Sequence, residues 1–237
     1  MSDAREVAEL AAARASVLQR IADASARAGR VAGEVTLVAV SKTVDAQRLR
    51  AAVATGLDLL GENRVQEAET KVREVPGATW HLVGPLQSNK VRRAVTTFSV
   101  IQTIDSVGIA RRVAAAASEA AIAPYRVLLQ VNVDSDPAKA GFAPEALVAS
   151  LDELAALDNL RIEGLMTVGR LVARADDARP TFVALRTLSD QLRRRWPGLG
   201  PTLSMGMSDD YEVAVEEGAT HIRIGRALFG ERPSSPR

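Results

Sequence analysis

VTLVAVSK, residues 35–42, is an apolar run that ends on a lysine. Its β-branched residues and its length suit a buried strand. Alternation with a period of two puts Thr36, Val38, Val40 and Lys42 on one side of that strand. Lysine is among the residues most costly to bury unpaired. The ordinary reading is that the strand has stopped and the ammonium is solvated. The alternative is that the strand delivers an amine to the mouth of a site, where partial desolvation lowers its pKa and frees the base. A neutral amine in such a place is what Schiff-base chemistry with an aldehyde requires.

Similar runs recur along the chain: LDLLGEN (57–63), TWHLVGP (79–85), FSVIQTID (98–105) and YRVLLQVNV (125–133). RIEGLMTV (161–168), TLSMGMS (202–208) and HIRIGRALF (221–229) complete the set. Helical patterns lie between them, among them DAQRLRAAVATG, VQEAETKVREV, SVGIARRVAAAASEA, PEALVASLDELAAL, ARPTFVALRTLSDQLRRRW and DDYEVAVEEG. Strands alternating with helices predict right-handed βαβ units and a parallel sheet. Eight such units fit a single (β/α)8 TIM barrel better than an open sheet. Ahead of the first strand, Val7, Leu10, Ala13, Val17, Leu18 and Ile21 are spaced mostly by three and four. They predict an extra amphipathic helix over about 3–29, closed by Gly29 and Gly33. No break in composition marks a second domain, so residues 1–237 are expected to form one, with ERPSSPR (231–237) as a loose tail.

Composition narrows the function. Thirty Lys and Arg against 29 Asp and Glu give a formal charge of +1, which argues against a nucleic-acid surface. The Arg193–Arg195 triple reads as a solvated helix face. With no cysteine there is no disulfide, thiolate nucleophile or cysteine-based zinc site, and Asp134-Ser-Asp136 lacks the rest of a calcium loop. No metal is expected. The amino terminus lacks signal-peptide order, and no apolar run approaches the roughly 20 residues that span a bilayer. A soluble cytoplasmic protein without membrane contact is expected.

A barrel carries its site at the carboxyl ends of its strands. In TLSMGMSDDYEVAVEEG (202–218), Gly206 and Ser208 stand where a strand meets a helix expected to begin near Asp209. That junction reads either as an anion site or as a plain N-cap. In HIRIGRALFG (221–230), alternation puts His221, Arg223 and Gly225 on one face. An arginine inside a covered strand needs a partner, either a barrel carboxylate such as Glu163 or an anionic ligand. Gly225 permits close approach of a ligand to the backbone. In GENRVQE (61–67), Glu62 and Asn63 are either turn and cap residues or ligand contacts. His81 reads as a satisfied core histidine, and Met166 and Met207 as packing.

AVSKT (39–43), GENRVQE (61–67), WHLVGPLQSNK (80–90), GLMTVG (164–169), LSMGMSDD (203–210) and RIGRALFG (223–230) occur in an order that resembles the pyridoxal 5′-phosphate homeostasis protein family. The resemblance extends from about residue 3 to 231. It implies a fold like the amino-terminal domain of alanine racemase, that of a fold type III pyridoxal phosphate protein. It also implies that Lys42 forms the internal aldimine with pyridoxal 5′-phosphate. Ser208 and the backbone around Met207, Gly225 and Arg226 would hold the phosphate, and Arg223 would approach the pyridine nitrogen. Asn63, Met166 and Ser204 complete the implied cofactor-binding set. Arg64 stands where the family commonly has tyrosine, and Arg226 where it often has a small residue.

The implied function is pyridoxal phosphate homeostasis: buffering and delivery of the cofactor to apoenzymes by a monomer, without clear catalytic turnover. The alternative is a racemase-like enzyme on the same scaffold. Such racemases work on the second face of the α-carbon with a tyrosine from a further β domain. The tyrosines here, Tyr125 and Tyr211, fall at the start of a strand and in a helix. A Schiff-base aldolase would need a proton relay beside the amine, and the sequence singles none out.

Overall fold

The structure is a computed structural model that describes residues 2–170 and 172–230. Eight parallel strands close in sequence order into a barrel. They are β1 (Thr36–Val40), β2 (Leu59–Glu62), β3 (Thr79–Leu82), β4 (Val100–Ile104), β5 (Tyr125–Gln130), β6 (Leu160–Met166), β7 (Thr202–Ser204) and β8 (His221–Ile224), with β8 pairing back onto β1. The chain opens with α1 (Ser2–Arg27), followed around the barrel by α2 (Ala46–Ala54), α3 (Val65–Glu74), α4 (Val91–Thr97) and α5 (Val107–Glu119). The remaining helices are α6 (Pro144–Ala149), α7 (Leu151–Ala155), α8 (Arg179–Arg195), α9 (Tyr211–Glu216) and α10 (Arg226–Phe229). The expected fold is therefore present, extra helix included. The tail expected over 231–237 lies outside the described residues.

Every expected strand forms, but each run extends past its last paired residue. A strand that leaves a closed barrel must turn outward, so SK, GRALF and the other carboxyl ends are loops or helical turns. After β8 the N–H groups of Leu228 and Phe229 bond Gly225 O, which makes GRALF the start of α10 instead of strand. PEALVASLDELAAL is not one helix but two, α6 and α7, meeting at Ser150. α4 was not expected, although its buried Val91, Ala94 and Val95 follow helical spacing.

The outer core lies between the strands and the helix ring. Leu10, Val17, Ile21 and Ala24 form the buried stripe of α1, which packs on α2, α9 and α10. Arg20 and Arg27 add ion pairs to Glu212 and Glu216, each with a contact of 2.7 Å. Exposed pairs of this kind contribute little, so burial seats the helix.

The barrel interior is packed with polar side chains as well as Val38 and Leu128. Arg126 and Arg161 pair with Glu163 at 2.8 and 3.3 Å. Beyond them the rings of His81 and His221 stack across the barrel with centroids 6.3 Å apart. His81 Nδ1 meets the Gln102 amide nitrogen at 2.9 Å.

Burial drives the pKa of His81 down to about 3 and that of His221 to about 4. Both rings are thus neutral in the folded protein near neutral pH, whereas histidine in an unfolded chain titrates near 6.5. Below that value the unfolded chain binds more protons, so stability falls with pH, by up to about 1.4 kcal/mol per pH unit for each ring. Glu62 and Asp210, whose pKa values burial raises, act in the opposite sense, so the informative comparison is with a histidine variant. Urea unfolding measured from about pH 6.5 down to about pH 4.5 should show a steep loss that His81→Gln makes shallower. Coincident slopes for the two proteins would refute the buried neutral His81.

Candidate functional site

At the carboxyl ends of the strands lies a cavity of about 510 Å³. Its size falls within the ordinary range for small-molecule sites. The turn after β1 contributes Lys42 and the residue after β2 contributes Asn63. The loop after β7 supplies Met207 and Ser208, β8 supplies Arg223, and the turn after β8 supplies Gly225 and Arg226. Lys42 also borders a smaller cavity of about 330 Å³ beside Arg48 and Phe229. Only the larger space brings Lys42 together with Arg223 and Ser208.

Met166 and Ser204, the remaining members of the expected set, do not line this cavity. Both are wholly buried beneath it. Ser204 instead holds Arg223, whose Nη1 donates to Ser204 Oγ at 2.8 Å. Ser204 Oγ in turn donates to Gln102 Oε1 at 2.6 Å. Arg223 Nη2 donates to the carbonyl of Thr167 at 2.7 Å, and the Thr167 hydroxyl donates to Val131 O at 2.8 Å. The barrel carboxylate considered as a partner, Glu163, is engaged by Arg126 and Arg161. Only 5% exposed, Arg223 is desolvated, which lowers its pKa to about 10 against the opposing pull of Asp210. It remains a cation at neutral pH, aimed by uncharged acceptors.

The β7 loop turns at Gly206, whose φ of +92° and close backbone neighbours leave no room for a side chain: a Cβ there would lie 2.5 Å from the Cβ of Ala214 and 3.0 Å from the Cα of Tyr211. Helix α9 begins at Tyr211, two residues later than expected. Asp210 precedes it, but its carboxylate reaches back to the N–H of Met207 at 2.6 Å and does not cap the helix. The Met207 N–H is therefore occupied, and Ser208, next in the turn, lines the cavity. Across the cavity rim Arg226 pairs with Asp209, which links the β7 and β8 loops.

Asn63 is set by the close approach of the loop after β3, where a Cβ on Gly84 would lie 2.4 Å from Asn63 O. Glu62 is neither a helix cap nor a cavity residue. Wholly buried, it bonds Lys71 Nζ at 2.6 Å and Ser41 Oγ at 2.7 Å. Sequence reasoning missed Gln102, Thr167 and Lys71. A glutamine amid the apolar residues of FSVIQTID was the available signal for the first.

Residues 16–233 match the family described as "Alanine racemase, N-terminal domain". The pyridoxal phosphate homeostasis protein of Pseudomonas aeruginosa is 44% identical over 220 residues, covering 92% of this chain and 94% of that protein. The structure of PipY from Synechococcus elongatus with PLP bound is 41% identical, with a TM-score of 0.79 over 90% of this chain and 100% of that one. Alanine racemase of Clostridium difficile shares the fold at 16% identity and a TM-score of 0.71, over 92% of this chain but 56% of its own. The chain belongs to the alanine racemase N-terminal domain family and, within it, groups with the pyridoxal phosphate homeostasis proteins.

Proposed function

We propose that this protein holds pyridoxal 5′-phosphate in the barrel-mouth cavity, as a cytoplasmic, monomeric, single-domain carrier that buffers the cofactor and passes it to apoenzymes. The observation that carries the reading is that one cavity combines a primary amine, a buried guanidinium and a serine hydroxyl on a glycine turn. Those groups fit an anionic aromatic aldehyde, and PipY has been solved with that cofactor bound. Pyridoxal phosphate supplies an aldehyde. Lys42 Nζ would be the amine that holds that aldehyde, with its oxygen released as water.

The other residues have distinct tasks. Ser208 and the turns at 207–208 and 225–226 hold the phosphate, and Asn63 borders the ring. Arg223 would be the residue beside the ring nitrogen. A fixed cation there disfavours protonation of that nitrogen, which weakens the cofactor as an electron sink. Ser204 acts through Arg223, and Met166 packs beneath.

The placement of the tyrosines, among the described residues, favours this reading over racemisation. Tyr125 is buried and donates its hydroxyl to Phe98 O; Tyr211 is buried under α1, with Arg20 over its ring. Neither tyrosine lines the cavity, and the rim carboxylate of Asp209 is held by Arg226. No described helix is long and apolar enough to cross a membrane.

Purified protein mixed with pyridoxal 5′-phosphate should develop the visible imine band, and Lys42→Ala should not. A band that survives in the variant removes Lys42 from its role. Incubation of the loaded protein with single L-amino acids in deuterated water should leave the α-position essentially unexchanged. Exchange at enzymatic rates would establish the racemase-like alternative.

A further inference from the structure

Next to the turn that carries Lys42, but outside the cavity lining, is a buried ionic cluster. Lys71 on α3 is 8% exposed, and Glu62 at the end of β2 is wholly buried. The ammonium uses three donors: to Glu62 Oε1 at 2.6 Å, to Glu67 Oε1 at 2.7 Å and to the carbonyl of Ser41 at 2.8 Å. That exhausts its hydrogen-bonding capacity. Ser41 Oγ also donates to Glu62 Oε1 at 2.7 Å, and the Thr43 N–H donates to Glu67 Oε1 at 2.9 Å. The residues on either side of Lys42 are thus both tied to one cluster.

The local backbone shows what the cluster opposes. Thr43 has a φ of +66°, a left-handed conformation that a β-branched residue rarely adopts. Such conformations persist where surrounding contacts over-determine them, and they gather at functional sites. Burial works against the Glu67 carboxylate, yet the Lys71 ammonium and the Thr43 N–H outweigh it and keep its pKa below the usual value. A buried ion pair is a poor source of net stability compared with apolar packing. One that grips the two neighbours of a single lysine is better explained by geometry.

We infer that Lys71, seated on Glu62 and Glu67, is a positioning residue for Lys42: it fixes the turn over 41–43, left-handed at Thr43, so that the Lys42 amine stays aimed into the cavity. The inference rests on Lys42 being the amine that captures the aldehyde.

Two ligands separate positioning from mere folding. Rapid mixing of apoprotein with pyridoxal 5′-phosphate reads imine formation at the visible band. Pyridoxine 5′-phosphate keeps the ring and phosphate but has an alcohol in place of the aldehyde, so it reads the cavity alone. Lys71→Met should slow imine formation by about tenfold or more while leaving pyridoxine phosphate affinity within about twofold. Lys71→Arg should recover part of the rate. An unchanged rate overturns the inference, and so does an equal loss for both ligands, which marks a purely structural role. If Lys71→Met does not fold, Glu67→Gln, which alters the partly exposed side of the cluster, should slow the imine by about threefold, and an unchanged rate there is equally decisive. A parent protein that forms no imine, or a Lys42→Ala variant that keeps the band, sinks the Lys42 assignment instead.

Discussion

A guanidinium enclosed in a barrel must have its N–H groups met, because an unmet buried charge costs far more than any packing around it returns. Arg223 meets part of that condition without a carboxylate in hydrogen-bond contact: two of its five N–H groups have acceptors in the barrel wall. Those two end on Ser204 Oγ and Thr167 O. Because Ser204 accepts from Arg223, its own proton is given to Gln102 Oε1, and the Gln102 amide must then donate to His81 Nδ1. His81 therefore has to be neutral, with its ring proton on Nε2. One requirement at β8 sets side-chain identities on β7, β4 and β3, and every donor in the line points away from the cavity cation. Removing Ser204 would strand partners on both sides, which typically costs about 1–3 kcal/mol for each buried group left unmet.

The same arrangement shows which features were legible in the sequence. The strands were, because apolar runs of β-formers bounded by polar ends carry a strong local signal. Their ends were not, since the point where a strand leaves a barrel depends on closure by its neighbours. Alternation placed Arg223 on the inward face, and that was sound. Its partners were not legible: Ser204 lies 19 residues away and Thr167 lies 56 away, and only the barrel cross-section brings them together. Glu163 was one of two partners considered, but it lies beside Arg126 and Arg161. Lys71 was hidden for a similar reason. Four residues after Glu67, it has the spacing of an ordinary surface pair. Only the arrival of the wholly buried Glu62 from β2 reveals that Lys71 is buried.

Most of the expected cofactor set converges on one cavity, while Ser204 and Met166 lie one layer below it. The family motif therefore contains residues of two kinds, those that face the cavity and those that hold the facing residues still. LSMGMSDD shows both within eight positions. Ser208 lines the cavity, Ser204 supports Arg223, and Asp210 closes the turn on the Met207 N–H.

Supporting residues of this kind bear on the choice between carrying and catalysing. A racemase has to move protons on two faces of a carbon, which calls for groups able to change charge at the site. In the barrel beneath this cavity, charge is fixed: Arg223 stays cationic, and His81 and His221 stay neutral because burial opposes their protonation. The tyrosines are buried away from the cavity, and the rim carboxylate is bound to an arginine. Under the proposed function, Lys42 would be the reactive group of this site. Such a site can form and release a covalent link to an aldehyde, since that needs an amine and water alone, whereas abstraction of an α-proton needs an electron sink that a cation at the ring nitrogen weakens. The cation that costs most to bury is the one that would keep a bound cofactor unreactive toward amino acids, and the polar column through the barrel holds that cation in place.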